Sequence, residues 1–162
     1  MTVPNVIAEA LVDQPRHYDI DQIQALIPHR GCMLMLRSLT VHATDRFTGE
    51  ACWSDTDPFV SGHKSAVVPG SLLIEAAAQA AGAGMLASDD RRAQPRRLGM
   101  LAAVRRCQFD QQAQIGRPVR MDVSCRRMSD TLAHATVEVR QDGERLAGLQ
   151  LLLALPEDQQ AN

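Results

Sequence analysis

Residues 70–87 read GSLLIEAAAQAAGAGMLA, a run of small and apolar residues in which Glu75 and Gln79 are the main polar interruptions. The run is long enough for about four to five turns of α-helix at about 3.6 residues per turn. Because it is apolar nearly all round, the predicted helix should be buried on most sides, and its Ala and Gly residues let neighbouring backbones come close. The two polar residues and the high Ala content argue against a membrane span.

Strand-like segments lie on both sides of this helix. Upstream, a short helical segment over 19–27 precedes two runs that predict a hairpin, and downstream the residues alternate between apolar and polar, with a tight turn at Asp142-Gly143. The predicted strands cover 33–41, 46–53, 98–109, 119–128, 133–140 and 146–155. One long buried helix among short antiparallel strands predicts an α+β domain, in which a curved antiparallel sheet wraps around the helix.

The chain length fits one domain, since the sequence has 162 residues. We expect an N-terminal arm over 1–18, a single domain over 19–156 and a flexible tail over 157–162. Pro-containing polar stretches over 58–69 and 88–97 predict surface loops on either side of the central helix.

The composition excludes several classes of function. Lys and Arg total 17 against 19 Asp and Glu, and aromatic residues make up 3%, so the chain offers neither a global positive field nor stacking surfaces for nucleic acid. The 4 cysteines form no Cys-x-x-Cys pair and no zinc-like cluster, so we expect no metal site. The first residues do not resemble a signal peptide, and we expect a cytoplasmic protein with reduced thiols.

Three features near the start of the central helix are candidates for chemistry. Glu75 is a carboxylate in an apolar helix, which costs several kcal/mol unless it is compensated, and Gln79 points the same way one turn later. His63 is a candidate because the imidazole of a histidine can in general take or give a proton near neutral pH. Pro69-Gly70 opens the helix, whose free N–H groups favour a developing negative oxygen, and Gly70 lacks a Cβ that would keep a ligand away. Each has a structural explanation alone, but together they supply a base, an oxyanion site and a second acid–base group.

The remaining histidines are expected on the surface or in structural hydrogen bonds. They are His17, His29, His42 and His134.

Three motifs follow each other in a specific order: Pro28-His29-Arg30, PFVSGH over 58–63, and VPGSLLIEAAAQ over 68–79. This set resembles the hot-dog-fold 3-hydroxyacyl-[acyl-carrier-protein] dehydratases of fatty acid synthesis, and the resemblance extends over about 20–155. The loop after His63 is about two residues shorter than the family pattern, and Lys64 stands where an aromatic ring normally packs. These departures suggest a divergent branch, and the pathway stays open between fatty acid biosynthesis and polyketide or aryl-polyene biosynthesis.

The resemblance implies a long helix inside a curved sheet and a dimer that joins two sheets, with each active site at the interface. It implies that His63 and Glu75 are the catalytic residues, Glu75 being the acid contributed by the other subunit, and that the N–H of Gly70 holds the thioester oxygen. The residues implied in substrate binding are Gly70, Gln79, Phe59 and Pro69.

By this resemblance the chain removes water from a (3R)-3-hydroxyacyl group on the phosphopantetheine arm of acyl carrier protein and leaves the trans-2-enoyl thioester. Acid–base groups and an oxyanion site suffice for this reaction, so no metal or redox cofactor is expected. Arg96 and Arg97, in a basic run, are candidates for docking the acidic carrier protein, although a solvated loop explains them equally well. The expected assembly is a homodimer, an assembly of dimers or a heterodimer with a related hot-dog subunit.

Other functions stay open for the same residues. An acyl-thioesterase or an enoyl isomerase would also use the Pro-Gly helix start, and a non-catalytic hot-dog partner subunit would keep the fold without turnover. The pair of His63 and Glu75 favours dehydration among these alternatives.

Overall fold

The computed structural model describes residues 11–62, 66–88 and 99–154. The predictions made for His63, Arg96, Arg97 and the 157–162 tail concern residues outside these ranges.

Seven antiparallel strands form one sheet, and a long helix packs against it. The helices are α1 (Ile20–Leu26) and α2 (Gly70–Ser88), and the strands are β1 (Leu11–Tyr18), β2 (Leu36–Ala43), β3 (Arg46–Ala51), β4 (Val67–Val68), β5 (Met100–Phe109), β6 (Ala113–Gln114), β7 (Val119–Ser129), β8 (Leu132–Gln141) and β9 (Glu144–Ala154). The strand order in the large sheet is β1-β2-β3-β7-β8-β9-β5, and β4 pairs with β6 in a second, two-stranded sheet. This is the α+β hot-dog arrangement that the sequence predicts.

The helix α2 is buried on most sides, as its composition predicts. It packs against β2, β3 and β7, and its small side chains Ala76, Ala80 and Ala83 are fully buried. The closest approach is at Gly84, where a Cβ atom would lie 2.3 Å from ring carbons of Phe47 on β3. Small residues therefore let the sheet wrap tightly around the helix.

The alternating pattern predicted for β7 and β8 is confirmed over most of their length. Every second residue is buried from Val119 to Cys125 on β7 and from Ala133 to Gln141 on β8, and the residues between them are exposed or partly exposed. The turn that joins β8 to β9 has Asp142 and Gly143 with φ of 53° and 85°. Two positive φ angles in succession match the twist of a tight hairpin.

The strand β1 corrects the expectation of an N-terminal arm. Residues 11–18 pair with β2 at one edge of the sheet rather than forming a loose segment. The register shifts between Leu11 and Arg16, and Pro15 lies within the shifted stretch. A bulge and a proline both obscure the alternation by which strands are recognised in sequence, and both are typical of edge strands.

Candidate active site

Glu75 and Gln79 lie one turn apart on α2 and contact each other. The Nε2 of Gln79 donates a hydrogen bond of 2.9 Å to Oε1 of Glu75. Gln79 is only 2% exposed, whereas the side chain of Glu75 is 32% exposed. The expected polar pair is therefore present, with the amide buried beneath a half-buried carboxyl group.

The amide of Gln79 is fixed by the backbone of the segment that precedes β2. Its Nε2 also donates to the carbonyl oxygen of Met33 at 2.7 Å, and its Oε1 accepts from the N–H of Met35 at 3.0 Å. Because donor and acceptor ends both have backbone partners, the amide can take only one orientation. Its nitrogen is consequently held towards Glu75.

His29 is the third polar group of this cluster, although the sequence predicts only a surface or structural role for it. Its Nε2 lies 3.3 Å from Oε1 of Glu75, and its side chain is 30% exposed. The segment that carries His29 follows α1 and is held by Arg30, whose guanidinium donates to the carbonyl oxygens of Gln24, Ile27 and His29 at 2.7–2.8 Å. The feature of the sequence that marks His29 is the Pro28-His29-Arg30 motif, which by itself indicates no role for the histidine.

A cavity of about 260 Å³ opens beside these polar groups. Apart from Glu75, His29 and Gln79 its lining is largely apolar and comes from α2, β5, β9 and the segment that follows α1. Its apolar side chains include Ala78, Leu86, Met100, Leu101 and Leu153. A concave apolar site with a few convergent polar groups is the usual form of a small-molecule site.

Gly70, at the start of α2, lies in a different environment from the one expected. A Cβ atom on Gly70 would lie 2.7 Å from the ring of Phe109, at the end of β5. The space left by the missing Cβ is therefore taken by an aromatic ring, which corrects the expectation that it leaves room for a ligand. Gly70 and Glu75 are five positions apart, or about 7.5 Å along the helix axis at 1.5 Å per residue.

Phe59 and Pro69 do not line the cavity beside Glu75. Phe59 is 38% exposed, in a loop whose backbone is held by Asp57: the carbonyl oxygen of Asp57 accepts from the N–H groups of Val60 at 2.9 Å and Ser61 at 2.7 Å. Pro69 precedes α2, and its carbonyl oxygen accepts from Leu72 N–H at 3.0 Å. The structure thus brings together Glu75 and Gln79, but not Phe59 or Pro69, among the described residues predicted for the site.

Within residues 11–62, 66–88 and 99–154, no three His, Cys, Asp or Glu side chains are grouped so that they could hold a metal ion. In the same part of the chain, no helix is both long and apolar enough to cross a membrane.

The chain is similar to a known family of dehydratases. The model of the ApeP-like family, described as ApeP dehydratase, matches residues 21–162. The 3-hydroxyacyl-[acyl-carrier-protein] dehydratase FabZ of Geobacillus thermodenitrificans is 33% identical over 85% of this chain and 94% of its own, and FabZ of Bacillus velezensis is 30% identical over 86% and 99%. Among solved structures, the dehydratase heterocomplex ApeI:P from Xenorhabdus doucetiae matches with a TM-score of 0.73 and 19% identity, over 84% of this chain and 91% of that chain. At this identity the structural match supports the fold alone.

Proposed function

The chain belongs to the ApeP-like dehydratase family, and from this premise we propose that it removes water from (3R)-3-hydroxyacyl thioesters carried on acyl carrier protein and leaves trans-2-enoyl thioesters. The carrier-bound substrate is supported by the names of the FabZ relatives. The observation that carries the proposal is the placement of Glu75, whose carboxyl group is held at one oxygen and borders an apolar cavity.

Glu75 is the proposed acid of the reaction. Its Oε1 accepts from Gln79 and lies near His29, and Oε2 has no hydrogen-bond partner among the described residues. A proton on Oε2 is therefore available to the hydroxyl group at C3 of the substrate, which leaves as water when the C3–O bond breaks. Such a positioned acid typically contributes about 10²–10⁴-fold to the rate.

His63 is the proposed base, and it takes the proton from C2 as the C2–C3 double bond forms. The resemblance supports this role, and so does the ability of histidine to accept a proton near neutral pH. Negative charge develops on the thioester oxygen during this step, and the N–H of Gly70 at the start of α2 is the proposed donor to it. These groups require no metal or redox cofactor.

The apolar cavity is the proposed site for the acyl chain. Beyond Glu75 its lining follows one stripe of α2 at helical spacing, through Ala78, Gly82 and Leu86. A Cβ atom on Gly82 would meet no atom within 4 Å, so this stripe leaves open space along the helix. An acyl chain lying there would extend away from the reacting carbons.

The edge strand β5 is the proposed contact with a second hot-dog subunit. It pairs with β9 on one side only, and it exposes apolar side chains, with Met100 56%, Val104 41% and Phe109 47% exposed. An unpaired apolar edge is a template for strand pairing with another chain. The proposed partner is a second copy of this chain or a related hot-dog subunit. The similar Xenorhabdus dehydratase is a heterocomplex.

The size of the assembly can be measured by light scattering after gel filtration. Val104→Asp places a charge on β5 and should reduce the mass to that of one chain. Met128→Asp is the matched control, because Met128 is 54% exposed at the far end of β7. An unchanged mass for Val104→Asp would argue against pairing through β5.

Arg96 and Arg97 remain the proposed docking residues for the carrier protein. Arg105 and Arg106 belong to the same basic run of sequence and are exposed on β5. A cytoplasmic location is also proposed, since the cysteines are free and no disulfide is required for the fold.

The reaction is tested by intact-mass analysis of a 3-hydroxyacyl carrier protein after incubation with the purified full-length chain. Loss of one water from the acyl carrier protein is the expected result, and the enoyl product should gain one water in the reverse reaction. Release of free carrier would instead indicate a thioesterase. No mass change in either direction across several chain lengths would contradict dehydration by this chain.

A further inference from the structure

The imidazole of His29 has two unlike nitrogen environments. Nε2 lies 3.3 Å from Oε1 of Glu75, whereas Nδ1 is buried and has no hydrogen-bond partner among the described residues. A proton on Nδ1 would therefore be a buried donor without an acceptor, and orphaned N–H groups are rarer in proteins than under-satisfied acceptors. The environment favours the neutral tautomer that carries its proton on Nε2, facing Glu75.

Oε1 of Glu75 is the point where this histidine and Gln79 meet. Gln79 already donates to Oε1 at 2.9 Å, and its own amide is held by the backbone of Met33 and Met35. A second donor from Nε2 of His29 would leave Oε1 as an acceptor only. When Glu75 is protonated, its proton then resides on Oε2, the oxygen left for the substrate.

Within the described part of the cavity lining, no other charged group competes for this contact. Among the described residues that line the cavity, His29 and Glu75 are the only titratable groups. The neighbouring guanidinium of Arg30 is directed to the carbonyl oxygens of Gln24, Ile27 and His29 rather than to the carboxyl group. Arg30 thus fixes the backbone of His29, and His29 faces Glu75.

We propose that His29 is a positioning residue for Glu75: it donates Nε2–H to Oε1, and together with Gln79 it holds the carboxyl proton on Oε2. This inference rests on the proposed role of Glu75 as the acid. At 3.3 Å the two atoms lie at the long end of the hydrogen-bonding range, and hydrogen bonds in catalytic sites commonly tighten when substrate binds. Correct placement of a reacting group has large effects, since a misplacement of about 1 Å can cost about 10²-fold in rate.

The first test does not depend on activity. Histidine side chains labelled with ¹⁵N in the full chain are measured by NMR near neutral pH, and His29→Gln assigns the His29 signals. The expected result is the Nε2–H tautomer of His29, with an Nε2 resonance that moves in Glu75→Ala because the acceptor of its proton is lost. An Nδ1–H tautomer, or a spectrum unchanged in Glu75→Ala, would overturn the proposal.

The second test uses two amide substitutions that differ in reach. In His29→Gln the side-chain nitrogen can occupy the position of Nε2, whereas in His29→Asn the amide is one carbon shorter and cannot. We expect His29→Asn to lower kcat by about 10–100-fold with little change in KM, and His29→Gln to restore most of that loss. His17→Gln is the control, since His17 lies on β1 and contacts Thr40.

The outcomes of the two tests are separable. Equal kcat values for His29→Gln and His29→Asn, or a change in KM alone, would overturn the positioning role. If the shorter variant fails to fold, the tautomer measurement and His29→Gln still decide the question. A wild-type protein with the expected tautomer but no dehydration would refute the proposed function while leaving the His29–Glu75 contact established.

Discussion

Two glycines in the middle of α2 provide a matched pair of substitutions that tests how tightly the sheet wraps around the helix. At Gly84 an added Cβ atom would lie 2.3 Å from two ring carbons of Phe47, and the Phe47 side chain is 1% exposed. At Gly82, two positions earlier, an added Cβ atom would have no neighbour within 4 Å. Gly84→Ala and Gly82→Ala therefore make the same chemical change in opposite environments.

The expected free energies follow from two opposing effects. Each substitution gains about 1 kcal/mol from the higher helix propensity of Ala. Only Gly84→Ala adds the cost of overpacking, typically about 1–3 kcal/mol, and the short distance to a buried ring favours the upper end of that range. Gly82→Ala should raise the free energy of unfolding by up to about 1 kcal/mol, and Gly84→Ala should lower it by about 2 kcal/mol.

Urea denaturation measures both values at one fixed protein concentration, because assembly contributes to apparent stability. The single Trp53 is 4% exposed and its fluorescence reports the transition. The difference between the two variants should be about 3 kcal/mol, since the propensity gain cancels between them. Equal midpoints for Gly84→Ala and Gly82→Ala would refute the close contact between α2 and β3.

Two further predictions concern the thiols and the buried amide. Burial, assisted by the charge of Asp45, raises the pKa of Cys125 to about 12. Iodoacetamide near pH 8 should therefore label the exposed Cys32 in the folded chain, but should label Cys125 only after unfolding. Rapid labelling of both thiols in the folded chain would contradict this prediction. Because its folded pKa is raised, Cys125 contributes stability that is present at neutral pH and is lost as the pH rises towards about 12. Gln79→Leu leaves the N–H of Met35 and the carbonyl of Met33 without their partner, which should cost about 2–4 kcal/mol in urea denaturation; a loss below about 1 kcal/mol would show that these groups find other partners.

The helices and strands that can be predicted from this sequence are those whose hydrophobic pattern continues without interruption. The apolar run from Gly70 predicts α2 because it is long and apolar nearly all round. The alternation from Val119 predicts β7 because burial on one face repeats along the strand. The strand β1 lacks such a pattern, since its register shifts between Leu11 and Arg16. Local pattern therefore identifies regular elements and misses a bulged edge strand.

The site is less predictable, because its contacts join distant parts of the chain. Glu75 and Gln79 share one helix face, so their spacing alone places them together. His29 reaches Glu75 only because the segment after α1 packs against α2, and Phe109 covers Gly70 only because β5 ends beside the start of α2. The sequence contains these residues but not the tertiary distances between them.

The most direct test of the account is the rate at which Glu75→Gln removes water from a 3-hydroxyacyl carrier protein, followed by intact mass. Glu50→Gln is the matched control, because Glu50 is exposed on β3 and its carboxylate accepts from Ser38 instead of bordering the cavity. We predict a rate for Glu75→Gln that is about 10²–10⁴-fold below wild type, with Glu50→Gln unchanged. Dehydration by Glu75→Gln at the wild-type rate would contradict the assignment of Glu75 as the acid.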